Sequence, residues 1–318
     1  SEIIREVISK TNINNTKLVR SKANDVIIPC SGETAEDIAT ARCVLNGNIL
    51  LGGDLNIIRL HGYDGAFMSY QLNGRRKYDI AKVAQGVSVV HLYGEHLKGV
   101  KTINPCLEEQ KKIAKLLSLL DERIATQNKI IDKLQSLIKG LRVSLMQIEN
   151  GNIVHLGEIA QIYQPQTISS TELTEDGFLV YGANGIIGKY KQYNHKTEQI
   201  CITCRGNTCG MVNYTKPMSW ITGNAMVINT DEHQNKVCKR YLYHYLSAYN
   251  FNSLISGSGQ PQIVRTPLEQ LKVTLPTFLE QKQKATFLDK IQDKIEISNK
   301  TLDLYLQQKL YLLRLMFI

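Results

Sequence analysis

Residues 105–145 read PCLEEQKKIAKLLSLLDERIATQNKIIDKLQSLIKGLRVSL, and residues 276–316 read PTFLEQKQKATFLDKIQDKIEISNKTLDLYLQQKLYLLRLM. They are one pattern written twice. Together with the residues just ahead of them, Leu97, Lys101, Pro105, Glu109, Gln110, Lys111, Ala114, Leu117, Ile124, Asn128, Lys129, Asp132 and Leu141 recur at a constant offset of 171. Their counterparts are Leu268, Lys272, Pro276, Glu280, Gln281, Lys282, Ala285, Leu288, Ile295, Asn299, Lys300, Asp303 and Leu312. Thirteen identities over 45 ungapped positions exceed chance, and a fixed period marks an internal repeat. Within each copy the apolar residues alternate spacings of four and three. The first row is Ile113, Leu117, Leu120, Ile124, Gln127, Ile131, Leu134, Ile138, Leu141 and Leu145; the second is Leu288, Ile291, Ile295, Ser298, Leu302, Tyr305, Lys309, Leu312 and Met316. A 3.5-residue period keeps a seam facing a partner helix, so the spacing predicts two long helices that pair as an antiparallel coiled coil. Gln127 and Ser298 interrupt the two seams at the same place, a usual device for fixing register. At ~1.5 Å per residue each helix would be a rod of roughly 55–60 Å. The competing reading packs each amphipathic helix separately on its own domain.

Working outward, the repeat extends weakly upstream. Ile28-Pro-Cys30-Ser-Gly32-Glu-Thr34 echoes Ile202-Thr-Cys204-Arg-Gly206-Asn-Thr208, and Gly53-Asp-Leu-Asn-Ile-Ile58 parallels Gly223-Asn-Ala-Met-Val-Ile228. Short β-branched runs at 200–203, 210–214 and 225–228, punctuated by Gly182, Gly185, Gly188, Gly206, Gly210 and Gly223, read as strands joined by tight turns. Residues 48–51 and 55–58 read as strands of the first half, 66–72 as a helix, and the Tyr-rich stretch 240–254 as another helix. The expected fold is α+β: two globular domains related by a pseudo-two-fold, separated by two long helices. The expected boundaries are 1–104 and 151–275 for the domains, and 105–150 and 276–318 for the helices.

With 318 residues, 43% apolar and 21% charged, the chain is long enough for two cores and is neither disordered nor fibrous. No apolar run approaches the roughly 18–20 residues of a membrane span. Ser1 to Lys10 carry Glu2, Arg5 and Glu6 without an apolar stretch, so no secretory leader is expected there. Seven cysteines, an odd number, argue for a reducing compartment. A cytoplasmic location is expected. The net charge of +9 is spread as +3, +2, +2 and +2 over the four segments, so there is no basic tail.

No catalytic constellation is legible, and no chemistry of its own is expected. Cys201, Cys204 and Cys209 form C-x2-C-x4-C, but structural zinc wants four ligands, and His195, His233 and Cys238 lack a matching spacing. In a strand, Cys201 and Cys204 would face opposite sides, so buried free thiols are the better reading and no metal is expected. Gly182-x-x-Gly185-x-x-Gly188 lacks the context of a nucleotide-binding loop and reads as a hairpin. Binding chemistry is better represented. Residues 181–216 hold Lys189, Lys191, Lys196, Arg205 and Lys216 against Glu198 alone, interleaved with Tyr181, Tyr190, Tyr193, Tyr214, Asn184, Gln192, Asn207 and Asn213. Lys and Arg neutralise phosphates, while Asn, Gln and Arg supply bidentate contacts to base edges. In the first half Arg75-Arg76-Lys77 and Lys82 oppose Asp79. Each of these side chains also has a plain reading as solvated surface or small-core packing.

Further segments bear on function by their order along the chain: Tyr181-Gly-Ala-Asn-Gly-Ile-Ile-Gly-Lys189, Ile202-Thr-Cys204-Arg-Gly-Asn-Thr-Cys-Gly210, Trp220-Ile-Thr-Gly-Asn-Ala225, Gly257-Ser-Gly-Gln-Pro261 and Leu279-Glu-Gln-Lys282. The first half carries Ala84-Gln-Gly86, His91-Leu92, Pro105 and Leu107-Glu-Glu-Gln-Lys-Lys-Ile-Ala114. Over nearly the whole chain this order resembles the specificity (S) subunits of type I restriction-modification systems. One departure stands out. About 50 residues precede Ile202 from a Gly157-Glu-Ile-Ala-Gln-Ile162 opening, whereas 27 precede Ile28 without one, so the first domain reads as shortened.

The resemblance implies two target-recognition domains, each reading half of a bipartite double-stranded DNA target, with the coiled coil setting the gap. It implies two methyltransferase subunits docked on the chain and restriction subunits joining them. S-adenosylmethionine and ATP would belong to those partners, leaving this chain non-catalytic and without a cofactor. The residues expected to contact DNA are Lys189, Tyr190, Arg205, Asn207 and Gln260 in the second domain, and Arg75, Arg76, Lys82, Gln85 and His91 in the first. Gln85 and Gln260 are expected at similar places beside each helix junction, with backbone capping as their other reading. The rival functions are a coiled-coil adaptor joining protein partners, and the detached recognition region of a single-chain restriction-methylation enzyme.

Overall fold

A computed structural model of the protein describes residues 1–12, 19–148, 151–257 and 259–317; Ser258 of the Gly257-to-Pro261 motif lies outside them. The fold is α+β. It divides into two compact units, Ser1–Ile131 with Ser298–Ile318, and Asp132–Ile297. The division falls inside both long helices, Leu107–Met146 and Phe278–Leu315, so each unit joins one globular part to a segment of each helix.

Within each unit the helix segments run antiparallel. In the first unit Gln127 Nε2 donates to Ser298 O at 3.0 Å, and Lys309 Nζ pairs with Asp121 at 2.7 Å. Ala114 and Leu117 share a core with Leu313, Phe317, Phe67 and Tyr70. In the second unit Lys284 Nζ reaches Leu145 O at 2.7 Å, and Arg142 reaches Gln292 at 3.2 Å. Ile138, Met146, Ala285, Leu288 and Ile295 enter that unit's main core. The heptad seams are therefore mutual, and their two polar interruptions bond to each other.

The globular parts repeat one sheet. In the first unit Asp25–Pro29 lies between Arg42–Val44 and Leu55–Ile58, antiparallel to both; in the second Ile200–Thr203 lies between Val212–Tyr214 and Ala225–Asn229 in the same way. The register is equivalent, with Ile28 opposite Asn56 and Ile202 opposite Met226. The outer edges differ. Ile3–Ile4 adds parallel to Arg42–Val44, whereas Gln161–Tyr163 adds antiparallel to Ala225–Asn229. The second unit also carries the hairpin Phe178–Gly182 and Gly185–Tyr190, with Trp220–Ile221 beside it, and a strand pair Lys272–Leu275 with Asn152–His155. The described residues of the first unit hold no counterpart of that strand pair. Ile103, which corresponds to Thr274, instead has its N–H and C=O met by the Gln71 amide at 2.7 and 2.6 Å. Gln71 is fully buried, and its amide finds both of its partners on the backbone of this one residue.

Residues 48–51 do not form the expected strand. Asn48 adopts φ +65°, its N–H donates to Ser21 O at 2.7 Å, and only an isolated bridge joins Arg20 to Leu50. The helix expected over 66–72 spans Gly65–Asn73. The one expected over 240–254 covers Lys239–Ala248 and gives way to a 3₁₀ turn at Phe251–Leu254, where the Asn250 side chain caps Asn252 N–H. Gly210 turns at φ +90°, so the strand expected from 210 begins at Val212.

The repeated Gln of the Glu-Gln-Lys motif ties each long helix to its globular part. Gln110 Oε1 accepts from Asp64 N–H at 2.9 Å and its Nε2 donates to Pro105 O at 2.8 Å. Gln281 Oε1 accepts from Cys238 N–H at 2.8 Å, and its Nε2 donates to Pro276 O at 3.0 Å and Lys236 O at 3.3 Å. Asp64 and Cys238 are the N-cap residues of the helices Gly65–Asn73 and Lys239–Ala248. Helix starts leave N–H groups without intrahelical acceptors, and this glutamine satisfies one in each unit.

Partly buried ionic clusters complete both junctions. Lys309 holds Glu2 and Asp121, each at 2.7 Å, while Tyr70 OH donates to Asp121 at 2.8 Å. Asp289 is gripped by Arg240 at 2.5 Å and by His244 Nε2 at 2.8 Å, and Arg142 Nε donates to His244 Nδ1 at 3.1 Å. With Nδ1 accepting, the proton of this imidazole sits on Nε2 and faces Asp289.

Candidate nucleic-acid interface

The strand Ile200–Thr203 runs into Cys204-Arg205-Gly206, where the chain meets a second hairpin, Ile255–Ser256 paired with Gln262–Ile263. Ile263 N–H donates to Cys204 O at 3.0 Å, Gly206 N–H donates to Pro261 O at 3.0 Å, and Arg205 lies directly opposite Gln262. The turn at the hairpin tip needs a glycine: Gly257 has φ +91°, and a Cβ there would stand 2.6 Å from Gln260 O. The first unit repeats the arrangement. Leu92 N–H donates to Cys30 O at 2.7 Å, Ser31 pairs with His91, and Gly86 turns at φ +127° with Val89 O 2.1 Å from where a Cβ would be.

These equivalences correct one expectation. Gln85 exchanges backbone bonds with His91 at 2.9 and 2.7 Å, just as Ser256 pairs with Gln262. Gln85 thus matches Ser256, and Gln260, which follows Gly257 by three residues, matches Val89. Both glutamine side chains are exposed, at different points of their hairpins.

The structure brings some of the expected residues together and separates others. Arg205, Asn207 and Gln260 are exposed on neighbouring turns. The tip of the 178–190 hairpin joins them, because Thr203 Oγ1 donates to Ala183 O and Thr208 Oγ1 bonds Asn184. Lys189 lies at the hairpin's other end beside Asp176, at 3.5 Å. Tyr190 is half-buried with its ring edge-on to Trp220, 5.0 Å between centroids, so packing occupies it. In the first unit Gln85 and His91 share the hairpin, and His91 stacks on Tyr93. Arg75 lines a separate cavity of about 600 Å³ with Lys77, Tyr78, Leu310 and Arg314. Arg76 pairs with Asp79 at 3.3 Å, and Lys82 is exposed near the end of the helix Lys77–Val83.

Two residues escaped the sequence reading. Gln262 and Arg265 line a polar cavity of about 370 Å³ with Arg205, Gln164 and Tyr163. The 171-residue offset, which sets Gln262 against the expected contact His91, could have found the first of them. Tyr163 OH bonds His195 Nε2 at 2.8 Å. Burial holds the His195 imidazole below its ordinary value although Asp231 opposes it, so this pair is neutral at neutral pH.

The cysteine motif is structural. Cys204 belongs to the main core of the second unit and Cys201 to a separate cluster with Tyr181, Ile221 and Val227. Burial pushes the Cys201 thiol up, away from the thiolate that a metal needs. Among the described residues no three His, Cys, Asp or Glu side chains are grouped to hold a metal, and no helix is long and apolar enough to cross a membrane.

Two stretches, 4–136 and 149–304, match the family model described as the type I restriction modification DNA specificity domain. The chain belongs to this family. It is 32% identical over 140 residues to the type I restriction enzyme EcoprrI specificity subunit of Escherichia coli, covering 42% of this chain and 34% of that protein. In that match the chain spans about a third of its relative's length. It is 24% identical to the type I restriction enzyme MjaVIII specificity subunit of Methanocaldococcus jannaschii, covering 94% of this chain and 80% of that one. The crystal structure of a type I restriction-modification system S subunit from M. genitalium superposes with a TM-score of 0.70 at 19% identity, over 97% of this chain and 86% of the other. That likeness is one of fold; the family is shown by the two matches to one family model.

Proposed function

We propose that the chain is the DNA-sequence-specificity subunit of a type I restriction-modification complex. Each globular part reads one half of a bipartite double-stranded DNA target. The paired long helices set the spacing of the half-sites and dock two methyltransferase subunits, with restriction subunits joining the assembly. The chain itself is non-catalytic; S-adenosylmethionine and ATP are bound by the partners. The observation that carries this reading is the duplicated, exposed hairpin joint, Gln85–His91 against Cys30-Ser31 and Ser256–Gln262 against Cys204-Arg205. A bipartite target calls for two readers in one chain, and here one backbone joint appears twice with different exposed side chains. The basic, amide-rich surface around Arg205 and Asn207 supplies the groups that meet phosphates and base edges.

The test is single-molecule methylation sequencing of the host genome with and without the gene. Loss of one bipartite adenine-methylation motif supports the specificity role and gives both half-sites. An unchanged methylome overturns it and leaves the adaptor reading, which requires no salt-dependent DNA affinity.

A further inference from the structure

We propose that the cross-strand position at the hairpin joint is the base-reading element of each globular part: Arg205 with Gln262 in the second, and His91, opposite Ser31, in the first. This rests on the specificity reading above and names which side chains within it choose the base.

Residues directly opposite each other in an antiparallel pair project to the same face with Cβ atoms about 4.5–5.5 Å apart. Arg205 and Gln262 are so placed, both exposed, and both line the 370 Å³ cavity. Their backbones are held on both sides: by Ile263 N–H on Cys204 O and Gly206 N–H on Pro261 O, and by the left-handed turn at Gly257. A reader needs this rigidity, because a side chain on a mobile loop gives up rotamer and backbone freedom on binding.

The polar groups around the pair favour an acceptor-rich partner. Among the described residues no carboxylate lies within ion-pair distance of Arg205, so its guanidinium fork is open. Arg265 is taken by Glu269 at 2.6 Å, and the Gln164 amide nitrogen by Cys204 Sγ at 3.0 Å and Gly223 O at 3.2 Å. Arg205 is therefore the strong uncommitted donor of the cavity, and Gln262 is an amide that both donates and accepts. In the major groove guanine presents two acceptors, O6 and N7, which fit an arginine fork, and adenine presents the N6 donor and N7 acceptor that fit a glutamine. The second part is thus built to read neighbouring purines, with guanine under Arg205.

The first part keeps the joint but changes the chemistry. Ser31 donates its hydroxyl to Asp54, and His91 is the exposed member, stacked on Tyr93. The same backbone position then selects a different base, so the two half-sites differ.

The experiment maps methylated motifs in cells expressing the full chain with its methyltransferase subunits, unsubstituted and as Arg205→Ala, Arg205→Lys, Gln262→Ala and His91→Ala. These side chains are on the surface, and Arg205→Lys keeps the charge while losing the fork. The expected result for both Arg205 variants is a relaxed guanine at one position of one half-site, its discrimination falling about 5- to 150-fold, with the other half-site intact. Gln262→Ala relaxes another position of that same half, and His91→Ala affects only the other half. An even loss of methylation across all sites with unchanged base preferences overturns the proposal and makes Arg205 a phosphate contact. So does a half-site lacking guanine at the position Arg205 controls. If the unsubstituted chain directs no motif at all, the specificity reading itself is what fails.

Discussion

Replacing Gln281 by alanine tests how each long helix is joined to its globular part. The side chain is 1% exposed and makes three hydrogen bonds, all to main-chain atoms: Cys238 N–H, Pro276 O and Lys236 O. Truncation strands one donor and two acceptors that share a single amide nitrogen. Water re-entering meets one of these three groups, and the two left, at about 1–2 kcal/mol each for an unsatisfied buried group, give a loss of about 2–4 kcal/mol. Trp220, the sole tryptophan, lies in the second unit and reports its unfolding. With a urea slope of roughly 2 kcal/mol/M, the fluorescence midpoint of the full chain should fall by about 1–2 M. Gln281→Glu sharpens the test. It keeps the acceptor for Cys238 N–H but turns an oxygen towards the two carbonyls, a contact that is favourable only when the acid is protonated. The buried folded state then holds its proton above the usual value of about 4.3, so the folded form binds more protons than the unfolded. Stability of this variant relative to wild type therefore falls as pH rises, and it should be closer to wild type at about pH 5 than at about pH 8. The exposed Gln270→Ala is the control, expected within about 0.5 kcal/mol of wild type. A Gln281→Ala midpoint no lower than that control, or a Gln281→Glu deficit independent of pH, would refute the latch.

Four other outcomes follow from the partly buried polar groups and the turns. Burial holds the His244 imidazole below its ordinary value despite the Asp289 hydrogen bond, so stability is full above about pH 6.5 and lost as pH falls towards the folded value. His244→Asn should flatten the Trp220-monitored stability between about pH 7 and pH 5. Burial also opposes an ionised Asp289, but His244 and Arg240 outweigh it and keep the carboxyl below the usual range. Its contribution is present above about pH 3.9 and lost in acid, a loss that Asp289→Asn should remove. Lys309→Met leaves Asp121 and Glu2 facing each other without a cation, at a cost of about 3–5 kcal/mol, seen as faster amide exchange in the helix Gly65–Asn73. Gly86→Ala forces a left-handed backbone and a contact with Val89 O, at about 1–3 kcal/mol, and should expose the Gln85 and His91 N–H groups to exchange.

The long helices were legible because a heptad repeats, and Gln127 and Ser298 announced their own pairing by interrupting both rows at one place. Strands rich in β-branched residues, such as Ile200–Thr203, were equally plain. The segment 48–51 misled because its apolar run hides an Asn48 that turns left-handed, a backbone choice imposed by Ser21 across the chain. Tyr190 read as a binding aromatic, yet Trp220, 30 residues away, takes up its ring. The ionic clusters of Lys309 and Asp289 draw partners from two or three separated segments, which no local pattern encodes. Gln110 and Gln281 could have been found from their identity at offset 171, since a buried polar residue repeated at a junction needs partners there.

Both glutamine latches address only peptide groups: a carbonyl five residues upstream, the first N–H of a helix, and in one case a second carbonyl. Such a joint is indifferent to the side chains of the part it holds. Any recognition module that ends in proline at this distance and offers a helix start at the same spot meets the fastening as written. The helices can thus serve as a standard mount on which the sequence-reading modules drift, or are exchanged whole, without the mount having to change.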